Sequence, residues 1–249
     1  MGRFDDKSVL VSGAASGMGR ECCRLFAREG GRVFGIDIDP QGLEATAKEV
    51  NEAGGTMETA VCNVGSRDAC RAAVDAAVAA FGKLDILLNV AGIAPMQHMK
   101  DVSEEDWDRT VAVNLSSVFF MSQAALPHLL ESAGNIVNVA SNAGVMGQAY
   151  TVPYCATKGG VVQITRAMAM EFMKTPLRVN CVCPSGTKTG ITKKANLPDD
   201  VDFKLMRYIG FRGMSDASEI AGAIAYLASD DARSVHGCIF NIDNGVTAG

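Results

Sequence analysis

The chain has 249 residues, of which 48% are hydrophobic and 20% are charged, and its formal net charge is -5. This composition predicts a soluble globular protein with enough apolar material for a sizeable core. The negative charge and the lack of a basic run exclude an electrostatic footprint for DNA or RNA, so we expect no nucleic-acid partner.

The amino-terminal residues predict neither export nor membrane insertion. Met1 to Ser8 mix acidic and basic side chains and lead directly into Val9, Leu10 and Val11, whereas a signal peptide needs a basic start and a longer apolar region. No uninterrupted apolar stretch reaches the roughly 18 residues of a membrane span. We therefore expect a cytoplasmic protein without a membrane partner.

The eight cysteines are scattered, and the three histidines, His98, His128 and His236, are far apart. In a chain without a signal peptide, this pattern predicts reduced and mostly buried thiols. No pair of these residues has the spacing of a metal-binding motif, so we expect no metal site. Cys155 adjoins Tyr154, and we favour a packing role for this cysteine over a redox role.

Short apolar runs alternate with longer amphipathic stretches along the chain. The runs predict seven strands: Ser8–Ser12, Arg32–Ile36, Thr56–Cys62, Leu84–Asn89, Asn135–Ala140, Arg178–Cys183 and Cys238–Ile242. The amphipathic stretches predict helices over Arg20–Glu29, Gly42–Glu52, Arg67–Phe81, Glu104–Leu130, Tyr154–Phe172 and Ser218–Leu227. This alternation predicts an α/β fold, with residues 1–249 forming one domain around a parallel sheet that has helices on both faces.

The segment from Thr187 to Gly213 interrupts this alternation with charges, glycines and only a short helical signal. A loop of this length in a compact domain is more often functional than accidental. It follows the carboxyl end of a strand, which is where open parallel sheets bind ligands. We predict a substrate lid at residues 187–213.

A glycine-rich turn joins the first strand to the first helix. Gly13, Gly17 and Gly19 allow the backbone to turn sharply and to approach a pyrophosphate, whose charge the amino end of a helix stabilises. The alternative interpretation is a purely structural turn, but the position between strand and helix favours dinucleotide binding. Ser16 and Met18 belong to the same predicted cofactor-binding loop.

Asp37 and Ile38 end the second strand, about 20 positions beyond the glycines. An acidic residue there accepts hydrogen bonds from the adenosine ribose and repels a 2′-phosphate, and Ser16 supplies no cation to offset that repulsion. We therefore predict NAD rather than NADP as the cofactor. The alternative role of Asp37 is that of a solvated turn residue.

Tyr154 and Lys158 are four residues apart, so a helix places them on one face within mutual reach. Tyrosine ionises near pH ~10, and action as a base near neutrality requires its pKa to fall by about 3, which corresponds to roughly 4 kcal/mol. A cation at about 4 Å supplies a similar energy at an effective dielectric constant of ~20. We expect Lys158 to lower the pKa of Tyr154, with an oxidised nicotinamide adding to the effect. Alone, the pair also fits an ordinary amphipathic helix.

Together with Asn89-Val90-Ala91-Gly92, Asn114 and Ser141, these motifs resemble the short-chain dehydrogenase/reductase family over the whole chain. The resemblance implies a Rossmann-type doubly wound fold with a seven-stranded parallel sheet. It also implies hydride exchange between a nicotinamide and a secondary alcohol or carbonyl compound. A homotetramer built on two long helices, or a homodimer, is the assembly it implies.

The resemblance also implies roles for four catalytic residues. Ser141 would hydrogen-bond the substrate oxygen, Tyr154 would exchange a proton with it, and Lys158 would also hold the nicotinamide ribose. Asn114 would hold a water that relays protons through Lys158. Two alternatives stay open: Ser141 as a turn residue and Asn114 as a polar contact inside a helix.

Further cofactor contacts follow from the resemblance, and some positions depart from the family pattern. The implied contacts are Asn63, Val64, Asn89, Ala91, Gly92, Pro184, Thr187 and Thr189. Asn63 stands where the family often has Asp, and Val90 replaces a second Asn. Ser185 stands where Gly is usual, which puts the backbone geometry after Pro184 in doubt.

We place the substrate pocket between 93–99, 142–148 and the predicted lid. The predicted substrate contacts are Ser141, Asn142, Gln148, Met96 and Met146, with Ile191 and His98 as further candidates. This mixture of apolar and polar groups does not identify the substrate.

Three functions remain as hypotheses. The leading one is an NAD-dependent dehydrogenase acting on a secondary alcohol. The second is an NADPH-dependent 3-oxoacyl thioester reductase, against which Asp37 argues; enoyl reduction is less favoured because such enzymes in this fold space their Tyr and Lys more widely. The third is a non-catalytic NAD-binding interaction protein, although such a protein would be expected to lose Tyr154 or Lys158.

Overall fold

The computed structural model describes residues 2–189, 197–206 and 212–248. Nine strands are present in this part of the chain: β1 Ser8–Ser12, β2 Arg32–Asp37, β3 Thr56–Val61, β4 Ile86–Asn89, β5 Asn135–Val139, β6 Arg178–Pro184, β7 Thr187–Lys188, β8 Ser215–Asp216 and β9 Ile239–Ile242. The α-helices are α1 Gly17–Arg28, α2 Pro40–Glu52, α3 Arg67–Phe81, α4 Glu104–Val111, α5 Ser117–Glu131, α6 Val152–Glu171 and α7 Ala217–Ala228.

Seven strands form one parallel sheet in the order β3-β2-β1-β4-β5-β6-β9. The chain reverses its direction of winding between β1 and β4, and such a switch point opens a crevice at the carboxyl ends of the two strands. The predicted seven-stranded parallel sheet is thereby confirmed. The two-residue strands β7 and β8 form a separate parallel pair.

Alternate residues of the central strand β1 are buried on opposite faces of the sheet. Val9 and Val11 of β1 pack in one apolar cluster with residues of α1, α2 and α7, whereas Leu10 packs in a second cluster with residues of α3 and α5. Every residue of β1, β4 and β5 is buried. Helices therefore cover both faces, as the alternating pattern predicts.

The predicted helix over Glu104–Leu130 is wrong in one respect. A π-helical turn over Ala112–Ser116 separates α4 from α5, and within it the Ser117 N–H donates to the Ala112 carbonyl. Asn114 lies in this turn with its side chain bonded to the backbone of Ile93, so the interruption depends on a partner about 20 residues upstream. Such turns occur frequently at functional sites.

The predicted lid lies only partly within the described residues. Its first residues form β7, and Phe203–Leu205 form a short 3₁₀ turn. Residues 190–196 and 207–211, including the predicted contact Ile191, lie outside the described residues. In the described part of the chain, no helix combines the length and apolar character needed to cross a bilayer.

Candidate active site

The glycine-rich turn is packed so closely that side chains would not fit at its glycines. Gly13 and Gly17 have φ values of +73° and +53°, which favour glycine. A Cβ on Gly19 would lie 2.0 Å from the Gly13 carbonyl oxygen, and one on Gly17 would lie 3.2 Å from the Thr189 side chain. Thr189 and the loop after β1 are therefore neighbours.

The first amides of α1 begin directly at this turn. Ser16 occupies the position before Gly17 with an extended backbone and an exposed side chain, and Met18 is half-buried. The unpaired N–H groups of a helix start favour an anion. The predicted phosphate-binding residues are thus brought together at the crevice beside β1.

Asp37 is fixed against the glycine-rich turn rather than free in solvent. Its Oδ2 accepts a hydrogen bond from the Ala15 N–H at 3.0 Å, and its Oδ1 accepts one from the Asp39 N–H at 3.1 Å. Ile38 beside it is exposed. The carboxylate is therefore held at the end of β2, next to the loop between β1 and α1.

Two residues that hold this loop were missed by the sequence analysis. Arg20 donates from Nη2 to the Ala15 carbonyl and from Nε to Thr46 Oγ1 at 3.0 Å. Ser12 Oγ accepts from the N–H groups of Val90 and Ala91 at 3.0 and 3.2 Å. The sequence shows only that an arginine directly follows the glycine motif and that a serine ends the strand. Neither position identifies the hydrogen-bond partner of the side chain.

The segment after β4 is divided between structural and site-facing residues. The Asn89 amide donates to Asn138 Oδ1 at 2.9 Å and to Ser122 Oγ at 3.3 Å, and it is buried. A Cβ on Gly13 would lie 3.0 Å from Ala91 Cα, so the backbone of Ala91 lines the glycine-rich turn. The side chain of Asn89 thus binds the neighbouring strand and α5, while the backbone that follows it faces the crevice.

The residues after β3 and β6 have local partners as well. Asn63 is exposed and accepts the Gly65 N–H at 3.0 Å, whereas Val64 is buried in the core. Beyond β6, the Thr187 hydroxyl donates to the Ser185 carbonyl at 3.0 Å, and the Pro184 carbonyl lies 3.4 Å from Ser141 Oγ. Ser185 Oγ is buried without a hydrogen-bond partner in the described part of the chain.

All four predicted catalytic residues lie together at the crevice. A Cβ on Gly92 would lie 3.3 Å from Asn114 Oδ1 and 3.4 Å from Lys158 Nζ. Lys158 Nζ is 5.7 Å from the centre of the Tyr154 ring, and Tyr154 is hydrogen-bonded to Ser141. These side chains come from the end of β5, the π-helical turn and α6.

The side chain of Asn114 has a different set of partners from the implied water. Its Oδ1 accepts from the Ile93 N–H and its Nδ2 donates to the Ile93 carbonyl, both at 2.8 Å, with a further contact of 3.3 Å to Thr157 Oγ1. Asn114 is fully buried. In this geometry the side chain fixes the start of the segment after Gly92.

Burial dominates the electrostatics of Tyr154 and Lys158. Desolvation lowers the pKa of the Lys158 ammonium from 10.5 to about 8. Burial also raises the pKa of Tyr154 above its ordinary value, and its hydrogen bond with Ser141 only partly opposes this rise. Lys158 Nζ donates to the Val139 carbonyl at 2.8 Å and lies 5.7 Å from the centre of the Tyr154 ring. The effect of burial on the pKa of Tyr154 is thus opposite in sign to the lowering expected from Lys158 and an oxidised nicotinamide.

The predicted substrate residues lie on two segments around Ser141. Asn142 is buried directly beside it, Gln148 is half-buried, and Met96 and Met146 are half-buried on the two loops. Asn142 Oδ1 lies 3.2 Å from Ser141 Oγ and 2.8 Å from Gln148 Nε2. The polar predicted contacts thus form one connected group with Ser141.

His98 connects these loops to the described part of the predicted lid. Its Nε2 lies 2.7 Å from Asp200 Oδ1, and its ring meets that of Tyr150 edge-on with centroids 5.1 Å apart. Tyr150 has a φ of +65°, an unfavourable value for a non-glycine residue, and its hydroxyl accepts the Asp202 N–H at 3.0 Å. Tyr150 is a residue of this junction that the sequence analysis missed.

Comparison with known proteins gives consistent matches over nearly the whole chain. The family described as enoyl-(acyl carrier protein) reductase matches residues 13–247. D-threitol dehydrogenase of Mycolicibacterium smegmatis is 37% identical over 246 residues, covering 98% of this chain and 94% of that protein. The 3-oxoacyl-[acyl-carrier-protein] reductase FabG of Thermotoga maritima is 35% identical over 245 residues, covering 98% and 99%.

The fold is also that of a solved structure, a short chain dehydrogenase from Mycobacterium paratuberculosis bound to NAD. The two share a TM-score of 0.92 and 28% sequence identity, with both chains covered completely. The glycine-rich turn, the parallel sheet and the sequence similarity all indicate the same family. The chain therefore belongs to the short-chain dehydrogenase/reductase family and is an oxidoreductase of that family.

Proposed function

We propose that this protein transfers a hydride between NAD(H) and a secondary alcohol or the corresponding carbonyl compound. The observation that carries this proposal is the group formed by buried Ser141, buried Lys158 and half-buried Tyr154 beside a glycine-rich turn. A single domain contains both the glycine-rich turn and these three side chains. NAD, when bound, accepts the hydride from the carbon that bears the reacting hydroxyl.

The residues at the crevice fit a dinucleotide. Gly13 and Gly19 leave the backbone uncovered where a Cβ would collide with neighbouring backbone atoms. The amino end of α1 suits a pyrophosphate, and Asp37 is held where it can accept ribose hydroxyls. Binding of NAD by the solved relative supports the same choice.

The preference for NAD over NADP rests on charge at the end of β2. Asp37 presents a carboxylate there, and the nearest cation on α1, Arg20, is engaged by Ala15 and Thr46. A 2′-phosphate would meet the negative charge of Asp37 without a free cation among these residues. This argues against the alternative of an NADPH-dependent 3-oxoacyl thioester reductase.

The side chains divide the chemistry between them. Ser141 holds the substrate oxygen by a hydrogen bond, and Tyr154 receives the hydroxyl proton during oxidation. Because burial raises the pKa of Tyr154, the phenolate needs a positive charge nearby, which protonated Lys158 and the oxidised nicotinamide supply together. Lys158 is held by the Val139 carbonyl, close to Gly92, where it can also reach a ribose.

The matched relatives support reactions at a C–OH or C=O group, and the spacing of four between Tyr154 and Lys158 favours these over enoyl reduction. We also propose a homotetramer or homodimer, supported by the exposed apolar side chains Phe119, Val152 and Met170 on α5 and α6. Eight unpaired cysteines support a reducing compartment such as the cytoplasm.

Substitution of the tyrosine tests the proposed function. We expect Tyr154→Phe to lower kcat/KM for alcohol oxidation with NAD by about 1,000-fold, since general acid–base groups contribute roughly 100- to 10,000-fold. NADH binding, measured by fluorescence titration, should change by less than about 3-fold, because the phenol is removed without altering the glycine-rich turn.

The matched control is Tyr226→Phe, which removes a hydroxyl from a partly exposed tyrosine on α7. It should leave both measurements unchanged. Turnover by Tyr154→Phe within 10-fold of the wild type would contradict the role of Tyr154. Retained NADH binding without turnover of any alcohol or carbonyl compound by the wild type would favour the non-catalytic alternative.

A further inference from the structure

A chain of side-chain hydrogen bonds leads away from Ser141 toward the surface of the substrate loops. The Ser141 hydroxyl donates to Asn142 Oδ1 at 3.2 Å, and the Gln148 amide donates from Nε2 to the same oxygen at 2.8 Å. Two donors converge on one oxygen, which fixes the orientation of the Asn142 amide. Gln148 Nε2 is thus linked to Ser141 Oγ by two hydrogen bonds that meet at Asn142 Oδ1.

Some donors and acceptors of these two amide side chains remain unused. Asn142 Nδ2 is buried and has no partner among the described residues. Gln148 is half-buried, and no hydrogen bond to its Oε1 or from its second Nε2 hydrogen occurs in the described part of the chain. Buried polar groups are nearly always paired, so an unpaired amide next to a reactive hydroxyl calls for a functional explanation.

Gln148 is held in place by its own backbone. Its carbonyl accepts a hydrogen bond from the Thr151 hydroxyl at 2.9 Å, one residue before α6 begins. Asn142 in turn lies in the 3₁₀ turn directly after Ser141. Gln148 is thus held through its backbone carbonyl and through its side-chain amide, and such fixed side chains are the ones that discriminate between ligands.

We propose that Asn142 and Gln148 bind a second oxygen of the substrate, on the carbon next to the one that reacts. This inference rests on the proposed function and specifies its substrate class: vicinal diols, oxidised to α-hydroxyketones. The reacting carbon gives up a hydride to NAD, and the hydroxyl on that carbon gives up its proton to Tyr154, which leaves a carbonyl group. The second hydroxyl remains intact and is bound by the amides.

The hydrogen-bonding groups of a side-chain amide complement those of a hydroxyl. An amide offers both a donor and an acceptor, and a hydroxyl needs one of each. Ser141 would bind the reacting oxygen while Gln148, two hydrogen bonds away, binds its neighbour. Met96 and Met146 provide adaptable apolar surface for the carbon chain.

The test compares vicinal diols with alcohols that lack the second hydroxyl. The probes are the three stereoisomers of 2,3-butanediol against 2-butanol, and 1,2-cyclohexanediol against cyclohexanol, each with NAD. For the wild type we expect kcat/KM to favour a diol over its partner by about 100-fold, because the amides stay unpaired with the mono-alcohol.

Gln148→Met removes the amide but keeps the length of the side chain. We expect this variant to lose about 10- to 100-fold in kcat/KM on the diol and less than about 3-fold on the mono-alcohol. Asn142→Asp, which replaces Nδ2 by an oxygen, should act in the same direction. Gln123→Met is the matched control, since Gln123 is exposed on α5 and pairs with Arg67, and it should change neither value.

The outcomes separate this inference from the proposed function. Equal turnover of diols and mono-alcohols by the wild type, or an equal loss on both in Gln148→Met, overturns the inference and leaves the proposed function standing. Turnover of none of the probes, and of no other secondary alcohol, by a protein that binds NADH overturns both. Retained mono-alcohol turnover in Gln148→Met shows that the variant is folded.

Discussion

The two sides of the crevice are built in opposite ways. The cofactor side, around Gly13, Gly17 and Gly19, depends on missing side chains and on close backbone contacts. The catalytic side depends on buried polar side chains. Lys158 is a buried cation, and Asn142 Nδ2 lacks a partner among the described residues.

This difference has an energetic consequence. On the cofactor side, the packing that shapes the proposed pyrophosphate site also stabilises the fold. On the catalytic side, burial of the proposed catalytic groups Lys158 and Tyr154 costs stability, as strained or desolvated groups at functional sites generally do. Stability and function should therefore change together on the first side and in opposite directions on the second.

The largest effect is expected from Gly19→Ala on the cofactor side. The added Cβ would lie 2.0 Å from the Gly13 carbonyl oxygen, so the turn has to move. We expect the free energy of unfolding, measured with urea, to fall by about 2–3 kcal/mol, as in overpacked cores. NADH should bind at least about 10-fold more weakly, because the displaced backbone carries the phosphate-binding amides.

Gly222→Ala provides the control for this prediction. Gly222 lies inside α7, and a Cβ there would meet nothing within 4 Å. Because alanine favours a helix over glycine, this variant should be about 0.5–1 kcal/mol more stable than the wild type with unchanged NADH binding. Normal NADH affinity in Gly19→Ala would contradict the link between packing and binding on this side.

The next effect should have the opposite sign, in Lys158→Met on the catalytic side. Burial lowers the pKa of Lys158 from 10.5 to about 8, which means that the folded protein disfavours the charged form. Replacing the ammonium by an apolar side chain removes that cost and forfeits the hydrogen bond to Val139. At pH 7 we expect a net gain of about 2 kcal/mol in the free energy of unfolding, together with loss of turnover.

The stability difference between Lys158→Met and the wild type should depend on pH in a defined direction. Below pH 8 the lysine is protonated in both the folded and the unfolded wild type, so the full cost of burial is present. Between about 8 and 10.5 the folded state releases its proton while the unfolded state retains it, so wild-type stability rises with pH. The advantage of the variant should shrink over this range. Lys174→Met, which replaces an exposed lysine just beyond α6, serves as the control.

Much of the fold could be predicted because it follows from periodicity. Strands buried on both sides and amphipathic helices specify the parallel sheet, and the glycines mark the turn after β1. The π-helical turn at Ala112–Ser116 could not be predicted, since it depends on bonds between Asn114 and the backbone of Ile93. A local sequence pattern carries no information about such a distant partner.

The candidate site shows the same division. The residues that meet at the crevice could be named from motifs, but their partners could not: Asn89 bonds to Asn138 and Ser122, and Lys158 to the Val139 carbonyl. The burial of Tyr154, which raises its pKa, could not be read from the sequence either. Burial outweighs a cation whose distance no sequence spacing specifies.

The smallest effect is expected from Asp37→Asn, which changes charge on the cofactor side without changing its packing. Asparagine keeps an oxygen for the Ala15 N–H, so the turn should remain intact. Loss of the negative charge should favour NADPH relative to NADH by about 10-fold, or about 1.4 kcal/mol, measured as the ratio of the two dissociation constants by fluorescence titration. Protein stability should be unchanged.

Asp39→Asn tests whether the effect of Asp37→Asn depends on where the lost negative charge was located. Asp39 lies two residues further on and caps α2 through Gly42, a role that asparagine also fulfils. This variant removes the same charge and should alter the NADPH/NADH ratio by less than about 3-fold, because the carboxylate is not bonded to the Ala15 N–H. An equal change in both variants would mean that overall charge near α2, rather than the carboxylate held by the glycine-rich turn, sets the cofactor preference. Selectivity would then be separable from the packing that builds this side of the crevice.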